Sequence, residues 1–348
     1  MNRQPPKDIE YPFRDSAPSV SVVTASDLSI GFPSGSLCLQ SGLSFSLRKG
    51  RFYCLIGPNG SGKTTLLRTL AGLQRALSGQ IMITGKDITR WKPKELARIL
   101  ALLLTQGEGI ERMTAWDVAA MGRMPYTGLF GRLHKYDKDL IREALLQTGM
   151  HGRSQQNFNT LSDGEKQKVL IARALCQKTP LILMDEPAAF LDFPSRILLM
   201  QLLAQLARTH GLTILITTHD VSLALRMADE VLLLEKGKPL AAGIPEELIL
   251  NGILSAYFHY DTIHFDPYQM EFLTPAKQSR PVLVEGDQHT GRVLGSFLQK
   301  CGCRMVQTGE PYEFRIHIPE KNHYLVNHNG IIHTFNLLSD LETYLKND

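Results

Sequence analysis

Gly57-Pro58-Asn59-Gly60-Ser61-Gly62-Lys63-Thr64 stands between the apolar run Phe52–Ile56 and the helix-forming segment Lys63–Ala71. Glycines at this spacing let successive backbone amides turn inward around an anion, and a helix that starts at once adds its N-terminal dipole. Lys63 offers a positive charge for the β- and γ-oxygens of a nucleotide, and Thr64 offers a hydroxyl for Mg²⁺. A strand, a glycine-rich loop and a helix in this order predict an α/β fold with a parallel sheet.

The pattern around the loop agrees. Short β-branched or aromatic runs at Val20–Thr24, Leu43–Leu47, Phe52–Ile56 and Ile81–Thr84 predict an antiparallel sheet near the start. Beyond it, helical stretches at Lys63–Ala71, Lys138–Thr148, Asp163–Cys176 and Pro194–His210 alternate with strand-like runs at Leu100–Leu104, Leu181–Met184 and Thr213–Thr217. Such alternation implies buried, mostly parallel strands. Leu181-Ile182-Leu183-Met184-Asp185-Glu186 places two carboxylates at the carboxyl end of a buried strand, the edge where open α/β sheets bind ligands. Adjacent residues there point different ways, so one suits Mg²⁺ while the other suits accepting a proton from an attacking water.

Composition limits the alternatives. The chain has 348 residues, 43% of them hydrophobic, and a net charge of +4, too mild to indicate a nucleic-acid partner. That length corresponds to about two domains of roughly 150 residues each. Five cysteines, an odd number without framework spacing, and the lack of an apolar leader favour a reducing, cytosolic setting. The strongest apolar stretches, Ile99–Leu104 and Ile197–Ala207, fall well short of the roughly 18 residues a spanning helix needs. Work at a membrane therefore requires another chain to cross it.

Leu161-Ser162-Asp163-Gly164-Glu165, followed by Lys166-Gln167, resembles the signature motif of ATP-binding-cassette (ABC) ATPases, whose usual form has Gly where Asp163 stands. The order also matches that family: phosphate loop, Gln106, signature, Asp185-Glu186, Leu191-Asp192 and His219. The resemblance covers roughly residues 20–265. It implies an ABC cassette fold, namely a P-loop core with an antiparallel β subdomain and a helical subdomain. It also implies ATP hydrolysis with Mg²⁺ by two copies of the chain. In that family pattern Gly57 to Thr65 (Gly57, Pro58, Asn59, Gly60, Ser61, Gly62, Lys63, Thr64, Thr65) hold the nucleotide, and Phe32, 25 residues before Gly57, stacks on adenine. Ser162, Asp163, Gly164 and Glu165 face the γ-phosphate held by the second copy. Thr64, Gln106 and Asp185 belong to Mg²⁺, while Glu186, His219, Gln106 and Lys63 are the catalytic set. A carboxylate at Asp163 is unfavourable beside a γ-phosphate unless it points away, so signature affinity is the feature this departure bears on.

Between Gln106 and Leu161 lie 54 residues, too few for the coiled coils of chromosome-associated members, and there is one cassette only. The expected partners are therefore a second copy, an integral-membrane permease dimer and, indirectly, an extracytoplasmic substrate-binding protein, with no nucleic acid. Met121-Gly122-Arg123-Met124-Pro125-Tyr126, followed by Gly128-Leu129-Phe130-Gly131-Arg132, resembles importers of iron-siderophores, haem and cobalamin. The implied location is peripheral, on the cytoplasmic face of the inner membrane. An alternative is a soluble ATP-gated regulatory protein acting through its C-terminal domain.

Residues 1–19, with four prolines, read as a flexible tail, residues 20–268 as the nucleotide-binding domain, and Pro275–Pro281 as a linker. Residues 282–348 read as a small α+β domain: strand Val282–Glu285, helix Gly291–Gln299, strand Arg304–Gln307, strands near Phe314–Ile318, His323–Asn327 and Ile331–Phe335, and a helix from Ser339. This segment holds five of eleven histidines (His289, His317, His323, His328, His333) and Cys301-x-Cys303. A metal- or haem-sensing role and plain solvated histidines both account for that, as does a dimerising or regulatory cap.

Overall fold

The computed structural model describes residues 21–32, 37–104, 112–127, 131–258, 264–266, 271–273, 280–286, 294–295, 297–320 and 322–347. The expected tail at 1–19, the sensor Gln106, Gly128-Leu129-Phe130, His289 and all but the end of the expected linker lie outside these residues. The chain divides into two compact units, Met1–Phe258 with Pro267–Glu271, and His259–Asp266 with Phe272–Asp348.

In the first unit, strands β1 (Ser21–Phe32), β2 (Leu37–Arg48), β4 (Ser78–Ile83) and β5 (Lys86–Asp87) form an antiparallel sheet in the order β2-β1-β4-β5. A second sheet has the order β10-β9-β3-β8-β7-β6, with β3 (Phe52–Ile56), β6 (Leu100–Leu103), β7 (Leu181–Met184), β8 (Thr213–Thr217), β9 (Glu230–Leu233) and β10 (Ala241–Gly243). All its pairings are parallel except β10 on β9. Phe52–Ile56 thus belongs to the parallel sheet and not to the antiparallel one expected from its β-branched neighbours. Every residue of β3 is buried, as a strand covered on both faces must be.

Helix α1 (Lys63–Leu70) buries Leu66, Leu67 and Leu70 in one apolar layer with Val23, Leu28 and Phe45 of the first sheet and Leu55, Leu183 and Leu215 of the second. The layer fixes α1, and with it the glycine-rich loop, against the carboxyl edge of the parallel strands. Helices α3 (Ala115–Ala120), α4 (Lys135–Gln147) and α5 (Asp163–Cys176) share a separate core of Val118, Ile141, Leu145, Phe158 and Val169. This is the helical subdomain. Helix α6 (Phe193–His210) is capped by the Asp192 carboxylate on the Ser195 amide and ends at Gly211 with φ of 63°. Helix α7 (Val221–Met227) is capped in the same way by Asp220 on the Leu223 amide. Short helices α2 (Pro93–Leu96), α8 (Pro245–Leu250) and α9 (Ile253–Tyr257) complete the unit.

The second unit holds a two-stranded sheet of β11 (His264–Asp266) and β12 (Glu271–Leu273) and a five-stranded sheet. The latter runs β14 (Cys303–Val306), β13 (Arg280–Glu285), β15 (Phe314–Glu320), β16 (His323–His328), β17 (Ile331–Phe335), with β13 parallel to both neighbours. Strict alternation in β15 buries Phe314, Ile316 and Ile318 and exposes Arg315 and His317. Leu341 and Leu345 of helix α10 (Leu338–Asn347) pack with Leu294 and Leu298 on the buried side. His328 lies against Phe314, with ring centroids 4.4 Å apart, and His333 against Tyr344 at 4.8 Å. Cys301 and Cys303 are buried free thiols, and among the described residues no group of three or more His, Cys, Asp or Glu is placed to hold a metal. His328 and His333 thus take part in aromatic packing, and His317 is exposed.

Candidate functional site

The loop before α1 is built from positions where a side chain would not fit or would be strained. A Cβ on Gly57 would stand 2.0 Å from the Leu234 carbonyl oxygen, and Gly60 and Gly62 have φ of 76° and 100°. Gln40, buried on β2, donates from Nε2 to the Ser61 carbonyl at 2.9 Å and pins the loop from outside. Ser61 Oγ is buried with no hydrogen-bond partner among the described residues, so the cradle carries a polar atom that a bound anion would satisfy. Lys63, 6% exposed, donates from Nζ to the Gly57 and Pro58 carbonyls at 2.8 and 3.0 Å. Burial pulls its ammonium below the usual lysine range, against the opposing pull of Glu186 and Asp185. Thr65 is buried one residue after Thr64, while Pro58 is half-buried and Asn59 exposed.

At the ends of β7 and β8, Asp185 Oδ1 accepts from Thr64 Oγ1 at 3.2 Å and from Thr217 Oγ1 at 2.7 Å. The Thr217 hydroxyl in turn accepts from the Glu186 amide at 2.8 Å. Thr217 is missing from the sequence-derived set. It follows Ile216, the register partner of Met184, so it sits beside Asp185 at the same edge, a signal that parallel pairing of the two strands contains. Glu186 has φ of 46°, a left-handed conformation that its surroundings must hold in place. Its Oε1 lies 2.6 Å from His219 Nε2. Lys63, Thr64, Asp185, Glu186 and His219, from three separate segments, thus meet at one edge. Carboxylate and hydroxyl oxygens at Asp185 and Thr64 are the hard donors that suit Mg²⁺.

Ser162 caps α5, accepting at Oγ from the Glu165 amide, while the Glu165 carboxylate accepts from the Ser162 amide at 3.0 Å and pairs with Arg153. Those bonds, the Ser162 amide first, hold the Glu165 carboxyl below its usual range. Asp163 points outward, its Oδ1 3.2 Å from Lys166 Nζ and its side chain 66% exposed. The first-turn amides at Asp163 and Gly164 remain in a helix N-terminal position. Phe32 ends β1 and is 45% exposed, as a stacking surface requires. The structure brings the phosphate loop, Asp185, Glu186 and His219 together, and holds the signature residues on a separate helix start.

The Gly122–Tyr126 segment has its own architecture. A Cβ on Gly122 would meet the Arg173 carbonyl at 2.0 Å, so only glycine lets this turn approach α5. Arg123, 3% exposed, donates from Nε to Asp137 Oδ1 at 2.9 Å and from Nη1 to the Cys176 carbonyl at 2.7 Å. Tyr126 stacks on its guanidinium and donates to the Gln177 carbonyl at 2.9 Å. Gln177 Nε2 reaches the Ala97 and Leu100 carbonyls, joining the helical subdomain to the start of β6.

Comparison with known proteins follows the same lines. Residues 40–189 match the ABC transporter family. The chain is 33% identical over 265 residues to the iron(3+)-hydroxamate import ATP-binding protein FhuC of Bacillus subtilis, covering 76% of this chain and 95% of that protein. It is 40% identical over 232 residues to the ABC transporter ATP-binding protein MJ0873 of Methanocaldococcus jannaschii, covering 67% and 79% respectively. Among solved structures, the dimeric post-hydrolysis state of the ATP-binding cassette MJ0796 with ADP and Pi superposes with a TM-score of 0.56 at 25% identity, over 64% of this chain and 98% of that one. No helix among the described residues is long and apolar enough to cross a membrane. The glycine cradle, the carboxylates at the strand edge and relatives spanning most of both chains lead to one assignment: the chain belongs to the ABC transporter ATP-binding proteins and is an ATPase.

Proposed function

We propose that this ATPase is the energy-coupling subunit of an importer, driving uptake of an iron-siderophore, haem or cobalamin through a separate permease dimer at the cytoplasmic face of the inner membrane. An extracytoplasmic binding protein would deliver the cargo. The observation that carries the mechanism is the meeting of Lys63, Thr64, Asp185, Glu186 and His219 at one strand edge. The likeness to the iron(3+)-hydroxamate import protein FhuC supports iron-chelate cargo and weighs against the soluble regulatory alternative. We assign the cassette to residues 20–268 and keep residues 282–348 as a separate domain.

Gly57 to Thr65 bind the phosphates of ATP through backbone amides and Lys63, and Phe32 stacks on the base. Thr64 and Asp185, with Gln106, would hold Mg²⁺. The ion would supply neutralisation of phosphate charge there. Glu186 takes a proton from the attacking water, and His219, whose Nε2 stands 2.6 Å from Glu186 Oε1, orients it. Ser162 and the amides at Asp163 and Gly164 meet the γ-phosphate of a second copy, with Glu165 closing the cap behind them. The outward turn of Asp163 toward Lys166 keeps its carboxylate from opposing that contact. ATP bridges two copies only when they are together, so binding energy drives closure.

The test is a pair of substitutions. Lys63→Ala loses nucleotide binding, whereas Glu186→Gln keeps binding, loses turnover and accumulates as an ATP-bound dimer in size-exclusion chromatography. Near wild-type turnover by Glu186→Gln would overturn the mechanism. Capture of a multi-helix membrane protein with ATP-loaded Glu186→Gln in mild detergent supports transport, and reproducible capture of soluble chains alone refutes it.

A further inference from the structure

The carboxyl-edge cleft beside Glu186 holds one cation that the mechanism above leaves without a task. Arg196, in the first turn of α6, lines a cleft of about 230 Å³ together with Glu186, Ala188, His219 and Asp220. Its Nε donates to the Leu191 carbonyl at 2.8 Å, and its Nη1 stands 4.0 Å from Asp220 Oδ2. Those two partners belong to different loops. Leu191 closes the turn that begins at Glu186, in which the Ala189 amide donates to the Glu186 carbonyl and the Leu191 amide to the Ala188 carbonyl. Asp220 follows His219 directly and caps α7.

Glu186 is held in its left-handed conformation from one side by Thr217. On the other side its turn ends at a carbonyl whose side-chain donor is Arg196. A planar guanidinium that hydrogen-bonds the Leu191 carbonyl and stands at ion-pair distance from Asp220 suits a two-loop bridge, because the bond to one loop fixes where its charge faces the other. We propose that Arg196 is a positioning residue for ATP hydrolysis: it couples the Glu186–Leu191 turn to the His219–Asp220 segment and so keeps the Glu186–His219 contact in register. This rests on the assignment of Glu186 and His219 to the hydrolytic step. In this role Arg196 acts through these two segments and takes no part in the chemical step.

The experiment is steady-state ATP hydrolysis with Mg²⁺ by the full chain, comparing wild type, Arg196→Gln, Arg196→Lys, Asp220→Asn, the Arg196→Gln/Asp220→Asn pair and Glu186→Gln. Asp220→Asn keeps an oxygen for the α7 cap and removes only the charge. Misplacement of a catalytic pair lowers turnover, so Arg196→Gln is expected to reduce kcat about tenfold and to leave the KM for ATP within about twofold. Arg196→Lys, which keeps the charge, regains part of that loss. The double variant is no slower than the slower single, because both remove one bridge. Wild-type kcat for Arg196→Gln, additive losses in the double variant, or a raised KM at unchanged kcat would overturn the positioning role. If Glu186→Gln retains turnover, the assignment beneath it fails instead.

Discussion

Replacing Arg123 by Met removes a buried cation of nearly the same length and leaves its partner behind. Arg123 and Asp137 are 3% and 6% exposed, and the substitution deletes the 2.9 Å bond to Asp137 and the 2.7 Å bond to the Cys176 carbonyl at the end of α5. Breaking a buried ion pair by removing one member costs about 3–5 kcal/mol. Asp137 keeps the His134 amide, at 2.9 Å, as a donor, which places the expected loss near the low end, about 3 kcal/mol. Both tryptophans of the chain, Trp91 and Trp116, lie in the first unit, and Trp116 packs against the helical core. Urea unfolding followed by tryptophan fluorescence therefore reports on this unit, and the midpoint should fall with little change in slope.

A second variant, Arg123→Met with Asp137→Asn, keeps the cap on the His134 amide and discharges the orphan, so it should regain about half the loss. Acidity gives an independent reading. Burial works to raise the Asp137 carboxyl, but the His134 amide and Arg123 outweigh it and hold it below the usual range. A carboxylate depressed in the folded state contributes stability above its unfolded value, about 4, and loses that contribution as pH falls through the folded value. The gap between wild type and Arg123→Met should be full at pH 7 and narrow below about pH 4. A loss under about 1 kcal/mol at pH 7, or a double variant no better than the single, would refute the reasoning.

Two further outcomes follow from the site. Thr217→Val keeps the shape of a fully buried residue but removes the hydroxyl that serves both Asp185 and the Glu186 amide; it should lower kcat for ATP and destabilise the first unit by about 2 kcal/mol, measured by hydrolysis and urea unfolding. Titration with a thiol-specific disulfide reagent should show one fast thiol, Cys38, because Cys54, Cys176, Cys301 and Cys303 are buried, and burial pushes the Cys176 thiol up to about 12.

Elements whose ends carry their own chemistry were legible in the sequence. Asp163–Cys176 has the boundaries expected of it because Ser162 and Glu165 form a reciprocal cap, and Leu181–Met184 and Thr213–Thr217 are short apolar runs bounded by polar residues. Helix α4 begins at Lys135, three residues before the expected Lys138, because the Asp137 carboxylate turns back onto the His134 amide and no usual N-cap residue announces it. Strand β3 pairs in the parallel sheet and not in the antiparallel one its composition suggests, since local composition does not reveal which neighbours pair. Thr217 and Arg196 escaped for a related reason: each acts by reaching across from a neighbouring loop or strand, a relation that exists only once the sheet has formed. The glycine at position 122 read as part of a family motif, whereas its cause, a carbonyl of α5 in the place of a side chain, is visible only in the packing.

The Lys63 ammonium already donates to two carbonyls of its own loop. Any solute that draws it away exchanges neutral acceptors for its own, so the gain is the difference between a carbonyl and the incoming group. Charge-assisted hydrogen bonds are roughly twice as strong as neutral ones, and a polyphosphate presents several at once. A sugar, a nucleoside or a singly charged metabolite presents none or one and leaves the lysine where it is. With the loop assigned to phosphate binding as proposed, it would sort solutes by charge density before the shape of the base is tested, which would guard the site against the many unphosphorylated adenine-bearing molecules of a cell.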